Sequence, residues 1–78
     1  MKPDEMLTEA KLAALAKQFR IAAGKTRAAA ARDLGVKSPS IFHAEESPEQ
    51  SLNKLRRRII EHYSPYLVNG PGFWLEKK

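Results

Sequence analysis

Cysteine is absent from the 78-residue chain, which removes disulfide staples, thiolate nucleophiles and thiolate metal ligands together. Histidine is scarce: His43 and His62 are the two present, far apart and without metal-ligand spacing around them. No apolar run approaches the roughly 20 residues needed to cross a bilayer. The opening Met1-Lys2-Pro3-Asp4-Glu5 turns acidic at once instead of leading into a signal-like apolar segment. These shortages point to a cytoplasmic protein with no membrane span, no metal and no other cofactor. Catalytic patterns are missing as well. Gly70-Pro71-Gly72 lacks the Lys-Ser/Thr and helix of a phosphate loop. Ser47, Ser51 and Ser64 have no evident base near them, and Glu45, Glu46 and Glu49 suit capping, salt bridging or solubility. The expectation is a protein that is not an enzyme.

Acidic residues are in deficit too: nine Asp+Glu face fourteen Lys+Arg, a formal charge of +5. A field of that sign attracts phosphate but dictates no fold. The length suits one domain, and a domain this short buries little surface, so dimerisation is a natural supplement.

Apolar Leu7, Leu12, Leu15, Ala16, Phe19 and Ala23 recur at three- and four-residue spacing. They predict an amphipathic first helix over residues 7–23, stopped by Gly24. Thr26 reads as the N-cap of a second helix over residues 26–34. Its four alanines, 28 to 31, leave little side chain over the backbone, so another helix can approach closely. Gly35 offers the left-handed conformation that ends it. Ser38-Pro39-Ser40 opens a third helix over residues 37–46, with proline harmless in the first turn. Ile41 and Ala44 form its apolar side, Phe42, His43 and Glu46 the other, and Ser47-Pro48 its end. Ser51 is expected to cap a fourth helix carrying Leu52, Leu55, Ile59 and Ile60. Arg56, Arg57 and Arg58 lie within it, and three adjacent residues span nearly a full turn, so they cannot all face one partner. Tyr66-Leu67-Val68 and Phe73-Trp74-Leu75 flank Asn69-Gly70-Pro71-Gly72, a hairpin signal. Phe73 and Trp74 are expected in the core or at a dimer contact. The predicted organisation is a domain over residues 1–63 and a hairpin or tail over residues 64–78, the latter part of the same domain or of a dimer interface.

The segment Thr26-Arg-Ala-Ala-Ala-Ala-Arg-Asp-Leu-Gly-Val-Lys-Ser-Pro-Ser-Ile-Phe-His-Ala-Glu-Glu46 resembles the helix-turn-helix of the Cro/C1 type, the XRE family. Ala30 and Ala31 stand where the second helix must approach the third. Leu34, Val36, Ile41 and Ala44 match the apolar positions and Gly35 the turn, and Arg-Asp-Leu-Gly-Val, residues 32–36, looks like the phage Cro variety. Arg20 and Glu45 match a pair that forms a salt bridge between the first and third helices. The resemblance covers about residues 12–60. It implies a mainly α fold, a four- to five-helix Cro/C1-type helix-turn-helix domain, to which the residues themselves add the short C-terminal hairpin. It also implies sequence-specific binding of double-stranded DNA, as in a small transcriptional regulator or repressor. Arg27 departs from the family's usual Gln, and Pro39 and Phe42 occupy positions that normally carry polar base readers.

In such a domain the third helix reads bases in the major groove while its neighbours hold phosphates. The base-reading candidates are Lys37, Ser38, Ser40, Phe42 and His43. Phosphate candidates are Arg27, aided by the free amides of its helix's first turn, with Lys25, Thr26, Lys54, Arg56 and Arg57. A homodimer built partly from the Trp74 region would place two copies on successive major grooves, about 34 Å apart. The competing reading is a protein-interaction module, such as an antitoxin or accessory subunit, with Phe42 at the interface.

Overall fold

The computed structural model describes residues 8–69 and 74–78. Within them the elements run α1 (Glu9–Ala22), α2 (Arg27–Leu34), α3 (Ser38–Glu46), α4 (Asn53–Tyr63), β1 (Tyr66–Asn69) and β2 (Trp74–Lys77). The chain is a small, mainly helical domain with a C-terminal antiparallel hairpin.

Each helix has a local reason for its limits. The α1 helix begins at Thr8, whose Oγ1 accepts from the Lys11 amide at 3.2 Å, satisfying one donor that a first turn leaves unpaired. It ends at Ala23, and Gly24 follows with φ +73°, the left-handed exit expected of it. Thr26 caps α2, its Oγ1 accepting from Ala29 N at 3.1 Å. The α4 helix differs from expectation. Its cap position is Leu52, with no side-chain cap bond, so Ser51 does not cap it. Backbone turns close this loop instead, with Gln50 N donating to Ser47 O and Leu52 N to Gln50 O, each at 3.0 Å.

Leu12, Ala16, Ala30, Ile41, Ala44, Ile59 and Ile60 are completely buried and form the centre of one core. Ala30 and Ala31 contribute no atom beyond Cβ, which lets their neighbours close over the backbone of α2. At the other end of the core, Val68 and Leu75 lie opposite each other in the hairpin and are both buried. The register pairs Tyr66 with Lys77, Leu67 with Glu76, Val68 with Leu75 and Asn69 with Trp74. Asn69, expected in the turn, therefore ends β1, and the second strand runs beyond the expected Leu75 to Lys77. Phe73 and Gly70-Pro71-Gly72, where the turn is expected, lie outside the described residues, as does the packing expected of the Trp74 side chain.

A two-stranded hairpin is marginal alone, and α4 supplies its support. Glu61 accepts from Val68 N at 2.8 Å, and Ser64 Oγ accepts from Tyr66 N at 3.1 Å while donating to Ile60 O at 2.6 Å. Lys78 donates its amide to Pro65 O at 2.8 Å, and its ammonium reaches Glu61 O and Ser64 O at the end of α4. No helix among the described residues is long and apolar enough to cross a membrane.

Candidate nucleic-acid interface

Between α2 and α3 the chain breaks sharply at Gly35, which takes φ +69° and ψ +34°. Its amide and that of Val36 fold back on Arg32 O and Ala31 O, at 3.4 and 2.9 Å. A Cβ at Gly35 would meet nothing within 4 Å. Glycine is therefore required by the left-handed backbone and not by crowding. Lys37 occupies the cap position of α3 without a side-chain cap bond, and Pro39 sits in the first turn, where its missing N–H has no intrahelical partner to lose.

Helical spacing then divides α3 into two faces. Ile41, Ala44 and Glu45 point inward and are buried. Lys37, Ser38, Pro39, Phe42, His43 and Glu46 are exposed. Ser40 is half-buried at the boundary, less available than the sequence suggested. The five base-reading candidates thus share one short helix, and four of them stand on its open face. His43 Nδ1 lies 3.4 Å from Ser47 Oγ.

A chain of charges fastens the inner side. Glu45, whose side chain is 0% exposed, accepts from Arg20 Nε at 2.5 Å and Arg20 Nη2 at 2.9 Å. This is a two-pronged carboxylate–guanidinium pair joining α1 to α3. The bond to Glu45 raises the Arg20 pKa against the opposing effect of burial. Arg20 also donates to Lys25 O at 2.8 Å, which ties down the α1–α2 loop. The sequence did not indicate that Glu45 also accepts from Arg27 Nε at 3.1 Å. Arg27 Nη2 donates to Glu46 at 2.8 Å, and Lys17 binds the same Glu46 oxygen at 2.7 Å. The Lys17 bond is the main reason the Glu46 carboxyl sits below its usual pKa.

Arg27 is consequently not a free cation. Its side chain is 34% exposed, its in-plane N–H groups serve two carboxylates, and its guanidinium carbon lies 5.0 Å from the Phe42 ring centroid. A phosphate would have to approach its Nη1 hydrogens, beside the two carboxylates that Nε and Nη2 serve. Thr26, the neighbouring candidate, uses its Oγ1 as the α2 cap acceptor, leaving the hydroxyl hydrogen to donate. Lys25 lies 3.7 Å from Asp33, which also accepts from the Tyr63 hydroxyl at 2.6 Å.

The three consecutive arginines of α4 go three ways. Arg56 is 0% exposed. It donates to Ala44 O at 2.8 Å, Gln50 O at 2.8 Å and Ser47 O at 2.7 Å, with Glu9 Oε1 at 3.5 Å. Burial lowers its pKa, and it stays charged all the same. Arg56 therefore leaves the phosphate set, because its donors close the C-terminal end of α3 and the loop after it. Arg58 donates to Leu34 O at the end of α2. Arg57 is half-buried and Lys54 exposed, and with Arg58 and Glu61 they line a shallow groove along the outside of α4.

Among the described residues no group of three or more His, Asp or Glu could hold a metal ion. Comparison with protein-family models, with curated proteins and with solved structures found no match for this chain. Its functional assignment therefore rests on the α2–turn–α3 unit itself.

Proposed function

We propose that this chain binds double-stranded DNA through α2 and α3, in the manner of a small Cro/C1-type transcriptional regulator without catalytic activity. The observation that carries the reading is the division of α3. Its inner face is consumed by core and salt bridge, while its outer face presents Lys37, Ser38, Phe42 and His43 to solvent beyond a sharp turn at Gly35. A narrow rod held outward fits a major groove about 12 Å wide. The formal charge of +5 supplies long-range attraction to phosphate. Lys37 is the foremost candidate for a base edge, and Lys25, Lys54 and Arg57 hold phosphates beside Arg27. Pairing of two copies would double the length of sequence read.

The test is duplex binding measured across a range of salt concentrations. Affinity should fall steeply with salt, and Arg27→Met should reduce the log–log slope by about one unit. Lys37→Met should narrow the gap between a selected duplex and a random one. Flat salt dependence would refute the proposal. A second reading, a protein-interaction module, is favoured by one observation, the 43% exposure of Phe42. Capture of a defined protein with no measurable duplex binding would establish it.

A further inference from the structure

Phe42 is the large apolar side chain on the outer face of α3, 43% exposed where water gains nothing from it. The ring is nevertheless held in place. The Arg27 guanidinium lies over it at 5.0 Å, within reach of a cation–π attraction, and the His43 ring meets it edge-on at 5.6 Å. Arg27 is itself fixed by in-plane bonds to Glu45 and Glu46. A planar guanidinium can satisfy carboxylates at its rim and an aromatic on its face together. The carboxylates set the arginine, the arginine sets the ring, and the remaining ring surface faces outward before any ligand arrives.

Resting on the DNA reading above, we infer that Phe42, positioned by Arg27, is a receptor for the C5-methyl group of a pyrimidine in the major groove. A small apolar group within a polyanion is what this setting suits. Lys37 lies on the same open face, and the one carboxylate there, Glu46, is already held by Lys17 and Arg27. The C5-methyl is the apolar group that base edges offer in the major groove. Thymine and 5-methylcytosine both carry it. An apolar protein surface would find the same ring, but the Lys37 ammonium on the same open face suits a polyanion better.

The experiment uses the full chain and duplexes selected from two random 20-base-pair libraries, roughly two helical turns each, one made with cytosine and one with 5-methylcytosine. Each thymine of a selected duplex is then replaced in turn by uracil, and each 5-methylcytosine by cytosine. For the wild type, removing one methyl should weaken binding about fourfold, the factor that burial of one such carbon contributes. Phe42→Ala should abolish that difference, and Arg27→Met should shrink it. Circular dichroism checks that both variants fold. Methyl dependence confined to thymine, or confined to 5-methylcytosine, assigns the source. Salt-dependent duplex binding with no methyl effect at any position, or the same effect in Phe42→Ala, overturns the inference and leaves the DNA reading standing. Failure to bind any duplex, with Phe42→Ala instead losing a protein partner, overturns both.

Discussion

Replacing Arg56 by Met tests the account of α4 most severely, because its neighbour Arg57 provides an internal control. Methionine keeps an unbranched apolar stem, shorter than arginine, but donates nothing. The change leaves Ala44 O, inside the protein, without its Arg56 donor, while Ser47 O and Gln50 O lose one donor each but keep the amides of Gln50 and Leu52. An enclosed acceptor left unsatisfied costs about 1–3 kcal/mol, and the outer two can recover part of their loss from water. Relief of the guanidinium's own desolvation works in the opposite direction. The net expectation is a loss of about 3 kcal/mol, within the range for removing one partner of a buried charged network. In a domain of this size that lowers the melting temperature by about 12–24 °C. Arg57→Met, at a half-buried position with no ion pair among the described residues, should stay within about 0.5 kcal/mol. Thermal and urea unfolding followed by circular dichroism measures both. Equal destabilisation by the two substitutions, or an Arg56→Met protein melting within a few degrees of wild type, would refute the capping role.

Gly35→Ala should destabilise the fold by about 1–2 kcal/mol in urea unfolding, from left-handed backbone strain alone, since a Cβ there meets nothing within 4 Å. Arg20→Leu should cost about 3–5 kcal/mol, because it strips the two-pronged partner from a Glu45 side chain that is 0% exposed. In a double-mutant cycle, coupling of Arg20 to Glu45 should exceed that of Arg27 to Glu45. Tyr63 gives a pH signature: burial first, then its hydrogen bond to Asp33, pushes the phenol up to about 12. A raised value means that the protonated phenol stabilises the fold below the unfolded value near 10, and that this contribution is lost as pH rises through about 12. The bond from Tyr63 conversely holds Asp33 below its usual value, so its contribution is lost only in acid, as pH falls through the depressed value. Phenolate absorbance should show a step near pH 12 that vanishes in Tyr63→Phe, and its persistence would rule out the assignment.

The features readable from sequence are those governed by neighbouring residues. Thr26 caps α2, Gly35 bends left-handed and Pro39 opens α3, because capping, positive φ and a missing amide act within one turn of chain. The β-prone triplet Tyr66-Leu67-Val68, followed by Asn-Gly-Pro-Gly, likewise located β1. Features that depend on how helices are rotated against one another were not readable. Nothing in Arg56-Arg57-Arg58 says which guanidinium meets the carbonyls ending α3, since that follows from the direction in which α4 crosses them. Arg27 looked like an open cation because its carboxylate partners lie 18 and 19 positions away. Lys17 and Glu46 are 29 apart. Ser51 misled through composition: a capping residue stood near the start of α4, but turns through Ser47 and Gln50 set where that helix begins.

The separation of α3 into two faces has an evolutionary consequence. Positions 38, 39, 42 and 43 contribute little to the core, whereas 41, 44 and 45 hold α3 in it. The first group can drift or be redesigned while the protein keeps its shape, so new preferences can be acquired without a stability crisis at each step. Position 42 is the exception, because a change there releases Arg27 from the ring and reaches Glu45 and Glu46 through it. Innovation on this helix should therefore be cheap at its beginning and constrained at its centre.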